Sequence, residues 1–488
     1  MNGHGQSDRS VVPANPPNKA AAAVAGEERE RTKGNTDSET RPGRGAGPGV
    51  PGGLDRVREV AVREKDARFT ALLHHITLER LWKVFTELKR DAAPGADGLT
   101  WWQYEQDLRA NLEDLLGRVQ SGKYRARPVR RVLIPKPDGR MRPLGVASLE
   151  DKIVQRAVVE VLNAVFEADF PGFSYGFRPG RGPHRALDAL TAGIQGTKVS
   201  WVLDADIRDF SGSLDRSWPE KFLRHRIADE RVLRLIGKWM AAGVIEDGKL
   251  SEMEQGTPQG APVSPLLANV YLHHVLDLRA VWWRNHEARG DVIIVRFADD
   301  FVAGFQYQDD AERFLTALRE RFAKFSLELH PGKTRLTGFG RFAIPRRKAR
   351  GAGKPETFSF LGFTHICAIS KRGQFWVRRI TGRKRLTAKL AKLRAGLLRR
   401  RHDPVPGQGI WLASVINGHM NYYAVPGNGK AVRAFREQAV RYWYTSLRRR
   451  SQKTRLTWER MGRLARRWIP RPVTKHPFPE QRFAARYS

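Results

Sequence analysis

The chain is nearly without cysteine. Cys367 stands alone among 488 residues, so no internal disulfide can form and a cysteine-rich zinc module is excluded. Long apolar runs are missing too: nothing approaches the roughly 18 uninterrupted apolar residues that a spanning helix needs. The opening MNGHGQSDRSVVPANPPNK has no apolar core of the secretory type. These absences lead to the expectation of an intracellular protein with no membrane role, long enough for two or three domains. The third scarcity is acid, and it is local. The chain carries 87 Lys+Arg against 51 Asp+Glu, a formal net charge of +36. Residues 371–488 hold 30 of those basic residues and only 4 acidic ones, a net +26. Such a surface repels itself unless counter-charge is near, so the expected partner is a polyanion, and nucleic acid fits best. The plainer alternative is a solvated basic face kept for solubility. A membrane surface fits less well, because no lipidation signal or aromatic-faced anchor helix is present.

Residues 1–55 are Gly, Pro, Ala, Ser and charge, ending in RPGRGAGPGVPGG; they cannot bury a core and are read as a disordered tail. Their glycines have no strand before and no helix after, which argues against a dinucleotide site. No repeat of fixed period is present. Between about 56 and 200, helical patterns alternate with loops, and PVRRVLIPKPDGRMRPLG reads as a hairpin around Pro137, Asp138 and Gly139. Strand signals return at VSWVLDADI and DVIIVRFADDFVAGF. Between them, Ser264 is expected to cap a helix that starts at Pro265 and carries Leu266, Leu267, Val270 and Tyr271 at helical spacing. Past about 380 the pattern is all helix. RKRLTAKLAKLRAGLLRRR places Leu386, Leu390, Leu393, Leu397 and Leu398 on one stripe, with nine Lys/Arg between Arg383 and Arg401 and no acid anywhere in 371–401. An ordinary surface helix is laced with Glu–Lys pairs; this one is suited to lie along phosphates.

The oddest stretch is VIIVRFADDFVAGF, where two adjacent carboxylates, Asp299 and Asp300, split one apolar strand pattern into two. Two ionised carboxylates about 4 Å apart repel by roughly 4 kcal/mol at an effective dielectric near 20. Taken alone, Asp-Asp could be a solvated turn. A second candidate lies in WVLDADIRDF, where the period of two puts Val202, Asp204 and Asp206 on one face and Leu203, Ala205 and Ile207 on the other. Carboxylates within a strand need a partner. If Asp206 lies beside the 299–300 turn, the cluster carries about three negative charges. Oxygen-only donors of this kind suit Mg²⁺, which keeps waters and shares ligands with substrate phosphates. Two such ions, roughly 3.5–4 Å apart, can activate an attacking hydroxyl and stabilise a leaving phosphate.

At this point a family becomes recognisable. FADD between two apolar strands resembles the Tyr/Phe-Ala-Asp-Asp motif of reverse transcriptases. The wider set resembles the group II intron-encoded reverse transcriptase/maturase family: APGADGLTW (93–101), LIPKPDGRMRPLG (133–145), DKIVQRA (151–157), SYGFRPGR (174–181), DADI (204–207), GTPQG with SPLLAN (256–269), RFADDF (296–301), LELHPGKTRL (327–336) and FLGF (360–363), in family order. The resemblance implies an α+β right-hand polymerase. Fingers and an antiparallel-sheet palm would occupy 56–378, followed by an all-α basic thumb/maturase domain over 379–488. Asp206, Asp299 and Asp300 would be the catalytic residues and hold two Mg²⁺ ions, with Asp206 and Asp299 as the chief ligands and Asp300 beside them. Lys136 and Arg142, on the arms of the PDG hairpin, would grip the incoming triphosphate, a role that suits Lys as a point charge and Arg as a fork. Gln259 would pack near the nascent base pair and Lys333 would lie near the phosphates. The reaction implied is attack of a primer 3′-hydroxyl on the α-phosphate of a deoxynucleoside triphosphate, copying an RNA template.

Within the resembling maturase region, GHMNYY (418–423) has His419 where the family usually has Trp, and aromatics interleave with Arg in RYWYTSLRRRSQKTRLTWERM. RNA contacts are expected from Arg383, Lys384, Arg385, Lys389, Lys392, Arg394, Tyr422, Tyr423, Arg448, Arg449 and Arg450, rings stacking on bases and Arg holding phosphates. The alternative for Tyr422, Tyr423, Trp443 and Tyr444 is a small helical core. No Cys/His cluster follows, so the endonuclease domain of some relatives is expected to be absent. One departure concerns the sugar. Position 211, where the family usually has a bulky Phe that excludes a ribose 2′-hydroxyl, is Ser, with Phe at 210. Either Phe210 does the excluding from a rearranged strand end, or Ser211 relaxes sugar discrimination. The function expected from all this is an RNA-directed DNA polymerase that binds its intron RNA, assists splicing and supports mobility by target-primed reverse transcription, with target DNA as a further partner, in a nucleoid-associated cytoplasmic ribonucleoprotein. The alternatives are a catalytically decayed RNA-folding maturase and a domesticated enzyme of repair or defence.

Overall fold

The computed structural model describes residues 53–135, 141–215, 217–246, 249–251, 260–451 and 455–484. The first helix, α1 (Gly53–Arg63), begins inside the stretch read as a tail, because Leu54, Val57 and Ala61 form a buried stripe; residues 1–52 lie outside the described residues. Helices α2 (Leu78–Glu87), α3 (Leu108–Gln120) and α4 (Leu149–Phe166) follow. Helix α4 starts at Ser148, whose hydroxyl accepts from the Asp151 amide at 3.3 Å. It is apolar on most sides, with Ile153, Val154, Ala157, Val158, Val161 and Leu162 buried, and so forms the spine of the largest core.

The two strands that flank the PDG stretch pair as the arms of the expected hairpin. Strands β1 (Val129–Pro135) and β2 (Met141–Val146) pair antiparallel, Pro135 opposite Met141, and the connecting 136–140 lie outside the described residues. β1 also runs parallel to β4 (Val244–Glu246), which pairs with β5 (Lys249–Ser251).

The central sheet has four antiparallel strands in the order β6-β7-β3-β8: β3 (Trp201–Asp206), β6 (Val292–Phe297), β7 (Asp300–Phe305) and β8 (Arg335–Gly338). Its period of two divides the molecule. Leu203, Ala205, Phe301, Ala303 and Phe305 point into the large helical core, whereas Val202, Val302, Ile293 and Val295 point into a second core. That second core is completed by helix α5 (Pro183–Gly196) and by the sheet β9 (Phe358–Phe360), β10 (Phe363–Ile369), β11 (Phe375–Thr381). Beneath the central sheet runs helix α6 (Ser264–Leu272), then a π-helical stretch His273–Asp277, then α7 (Leu278–His286). Leu266, Leu267, Val270 and Tyr271 are buried as their spacing predicts. Ser264 does not cap this helix; it is already the first helical residue and Val263 precedes it.

After β11 the chain is helical: α8 (Arg383–Arg399), α9 (Val405–Tyr423), α10 (Gly429–Arg448) and α11 (Trp458–Trp468) enclose a third core around Trp443, Leu393, Leu397, Leu412 and Ile416. Mixed helix and antiparallel sheet make the chain α+β. The leucine stripe of α8 is narrower than its spacing suggests: Leu393 and Leu397 are buried, but Leu398 is 45% exposed, since two successive helical residues stand about 100° apart and cannot share one contact line. Among the described residues no helix is long and apolar enough to cross a membrane.

Candidate active site at the junction of β3 and β7

Ala298 and Asp299 form the two-residue connection between β6 and β7, with Phe297 paired to Asp300. Ala298 has φ +58°, a left-handed conformation that two-residue hairpins usually assign to Gly. On its other side β7 pairs with β3, and the register sets Asp206 directly opposite Asp300. Directly opposed residues point to the same face, with Cβ atoms roughly 4.5–5.5 Å apart. The last acid of β3 and the first of β7 therefore meet on one surface, and Asp204, two residues back, lies on that surface too. Two like charges opposite one another destabilise a bare sheet.

The electrostatics follow. Asp204 is pushed up to about 7, first by burial and then by Asp300, against a hydrogen bond from the Ser359 amide that holds it down. Asp300 is pushed up to about 6, first by loss of hydration and then by repulsion from Asp299 and Asp206, with Lys333 and Arg385 opposing. The outer edge of Asp300 still meets solvent, so the repulsion, which the strand register imposes directly, is the sturdier cause. Asp204 was on the expected face but not among the expected ligands; the period of two was the signal that could have included it.

Lys333 arrives by way of the segment after the helix Gln308–Ala323. Leu329 bridges Ile207, the His330 amide donates to Asp206 O at 2.8 Å, and the Lys333 amide closes a turn on His330 O at 3.1 Å. That path delivers the Lys333 ammonium onto the Asp206 Oδ2 carboxylate oxygen. A cation lodged on a carboxylate of a crowded oxygen-only cluster is the chemical fit for a hard metal ion, which would compete for the same oxygen. Among the described residues no three His, Cys, Asp or Glu side chains are closed into a metal cage. Oxygen-only donors are of the kind that a hard ion with water and phosphate oxygens in its shell would use.

The other sequence-predicted residues divide. Lys136 and Gln259, and the side chain of Arg142, lie outside the described residues; Arg142 is placed only by its backbone, opposite Ile134. Phe210 is only 5% exposed, with its ring edge-on to Tyr271 at 6.1 Å inside the large core. That burial argues against the reading in which Phe210 stands against a bound sugar. The cause is local: Asp209 adopts φ +40°, and the short helix Phe210–Ser213 that follows turns Phe210 inward and leaves Ser211 half-buried.

The basic helix α8 starts next to this site. The Gly382 amide donates to Gly362 O at 3.0 Å, and Arg385 carries charge to Asp300. Arg383, Lys384, Arg385, Lys389, Lys392 and Arg394 are all exposed along α8, as are Arg448 and Arg449 at the end of α10. Arg450 instead holds the preceding loop, donating to His402 O at 3.0 Å and Asp403 O at 2.9 Å. Tyr422 and Tyr423 are half-buried. Both rings lie against Phe363, and Tyr422 Oη donates to Leu361 O at 2.8 Å. Their faces are engaged within the protein, as are those of Trp443, which is fully buried, and Tyr444, stacked on Trp458 at 4.0 Å.

A family model described as reverse transcriptase (RNA-dependent DNA polymerase) matches residues 134–365. Protein YkfC of Escherichia coli (strain K12) is 33% identical over 336 residues, covering 65% of this chain and 88% of that protein. Group II intron-encoded protein LtrA of Lactococcus lactis subsp. cremoris is 30% identical over 242 residues, covering 48% of this chain and 40% of LtrA. The uncharacterized 91 kDa protein in cob intron of Schizosaccharomyces pombe is 36% identical over 164 residues, covering 34% of this chain and 20% of that protein.

Proposed function

The chain belongs to the group II intron reverse transcriptase/maturase family, and on that premise we propose that it is an RNA-directed DNA polymerase that also binds its own intron RNA and assists its splicing. The observation that carries this reading is the pairing of Asp206 with Asp300 across β3 and β7. In the proposed right hand, the β6-β7-β3-β8 sheet is the palm, the β1–β2 hairpin belongs to the fingers, and 379–488 form a basic thumb and maturase region.

Asp206, Asp299 and Asp300 are the proposed holders of two Mg²⁺ ions. Such ions would supply an activated attacking oxygen and a neutralised leaving phosphate. The protein's own part is electrostatic and positional. The strand register crowds the carboxylates together, so their ionised form makes a strongly negative patch to which cations and the phosphates they carry are drawn. Lys333 holds Asp206 Oδ2 until that oxygen is engaged, and its ammonium is then in place for a phosphate oxygen. Lys136, Arg142 and Gln259 are proposed contacts of the incoming nucleotide. With Phe210 in the core and only Ser211 near the strand end, we further infer weakened rejection of ribonucleotides.

The charge of α8 supports intron RNA as a partner, with template, primer and target DNA as further polyanions. The mobility of the intron by target-primed synthesis, in a nucleoid-associated ribonucleoprotein, completes the proposal. The deciding experiment is primer extension of oligo(dT) on poly(rA), with and without Mg²⁺. Asp300→Asn and Asp206→Asn are expected to cut the rate by three orders of magnitude or more while RNA affinity stays within about twofold; each order is about 1.36 kcal/mol of barrier. Efficient extension by either variant overturns the site. Substituting rNTPs for dNTPs in the same assay tests the sugar reading, which fails if the parent rejects them strongly.

A further inference from the structure

The acids do not explain their own turn. Ala298 stands left-handed where a side chain is strained, and such a conformation persists only where its surroundings impose it. What imposes it here is a buried polar network that begins at Arg296, the one charge inside the apolar run VIIVRF. Arg296 is completely buried, yet all three of its guanidinium nitrogens donate hydrogen bonds. Nε donates to Asp277 Oδ1 at 2.7 Å and Nη2 to Asp277 Oδ2 at 2.5 Å. Nη1 donates to Asn269 Oδ1 at 3.0 Å and to the Ala298 carbonyl at 3.1 Å. Asn269 Nδ2 in turn donates to Gly176 O at 2.7 Å. Gly176 touches the turn from above: a Cβ there would lie 2.2 Å from the Ala298 amide nitrogen.

Two further features serve this network. The π-helical stretch His273–Asp277 interrupts the α6–α7 helical run; the extra residue in the turn rotates Asp277 inward, beneath β6, and such bulges concentrate at functional sites. The loop 173–176 lies along the outer edge of β6, its Tyr175 amide donating to Arg296 O at 2.8 Å while the Arg296 amide donates to Phe173 O at 2.8 Å. The turn is thus gripped through its own carbonyl and by close packing against the amide of the same residue.

A buried ion pair is poor evidence of stabilisation, because apolar side chains of similar volume often do as well or better. The Arg296 Nη1 donor spent on Ala298 O does something an apolar pair cannot. We propose that Arg296, Asp277 and Asn269 form a positioning unit that fixes the left-handed Ala298 turn and thereby sets Asp299 and Asp300 against Asp206. The proposal rests on the polymerase reading for its effect on catalysis, but not for its effect on cation binding.

The test replaces the pair by apolar residues of like volume, Arg296→Met with Asp277→Leu, in the full-length protein. Mn²⁺ alone is titrated by electron paramagnetic resonance, with Asp300→Asn as the baseline, and thermal unfolding and primer extension are measured beside it. The expected result is an unchanged or raised Tm, Mn²⁺ affinity at the acid cluster weakened at least tenfold, and extension slowed about 100-fold, the scale of a 1 Å misplacement. Asn269→Ala, which removes one link and leaves the ion pair, is the second variant, with a three- to tenfold shift in the same direction; it carries the test by itself if the double variant fails to fold. Parent-like Mn²⁺ affinity in either folded variant overturns the proposal. If the parent itself extends no primer, the polymerase reading fails, and the Mn²⁺ titration still decides whether this unit sets the turn.

Discussion

The acid face of the central sheet and the basic face of α8 are opposite ways of concentrating charge. At the sheet, three carboxylates from two strands far apart in sequence are forced together by register, Asp206 against Asp300 with Asp204 behind. On α8, seven cations, Arg399 among them, are exposed along a single helix anchored to its core chiefly by Leu393 and Leu397. The first arrangement raises the carboxyls of Asp204 and Asp300 and needs a buried scaffold to hold it. The second spreads its charges into water, where screening acts within about 10 Å at ordinary salt, and needs nothing beyond helical periodicity. The proposed site for two small ions requires convergence; the proposed grip on a long polyanion requires repetition.

The contrast breaks most visibly in RNA binding. Changing Arg383, Lys384, Arg385, Lys389, Lys392 and Arg394 together to Gln is expected to weaken binding to folded RNA strongly at low salt. It should also flatten the log–log salt dependence by roughly 0.7–0.9 for each phosphate no longer neutralised. Filter binding between 50 and 300 mM KCl gives the slope. A slope equal to the parent's would mean that these charges are a solvated face and that the polyanion lies elsewhere.

The two faces also differ in how far the sequence makes them legible. Helical spacing puts Leu393 and Leu397 inside, and strand alternation puts Asp204 and Asp206 on one side with Leu203 and Ala205 on the other. Both follow from local periodicity. What stays hidden depends on backbone events or distant partners. The left-handed Asp209 turns Phe210 into the core, and no composition signal announces a positive φ at a non-glycine residue. The Arg296–Asp277 ion pair joins a strand to a π-helical turn. Its only trace in the sequence is a charge inside VIIVRF, which reads equally as a strand edge. Lys333 was expected near phosphates; its contact with Asp206 comes from the path 329–333, set by pairing with β3 and not by the motif.

A smaller effect separates anchors from surface on α8 itself. Leu393→Ala should cost about 2–5 kcal/mol of stability in urea denaturation, the range for a buried leucine. Leu398→Ala should stay within about 0.5 kcal/mol, as exposed positions do. Equal costs would place Leu398 in the helical core, as its spacing alone predicts.

The smallest effect is in pH, and it isolates the acid face from everything basic. Asp204 and Asp300 have their carboxyls raised, to about 7 and about 6, from an ordinary value near 4. Across that window the native state binds more protons than the unfolded chain. Unfolding free energy therefore falls as pH rises from about 4 to 7, and the loss is complete above it. Asp204→Asn removes the most strongly shifted group without adding charge. In metal-free buffer its Tm should exceed the parent's at pH 8, and the gain should shrink toward zero near pH 4. Mg²⁺ ought to act in the same window from the other side, raising the parent's Tm at pH 8, where the cluster is ionised, and hardly at pH 5, because only the ionised cluster binds it. A Tm difference that ignores pH would mean that Asp204 is held by packing alone, and that the repulsion inferred between the strands is already relieved by the cations around it.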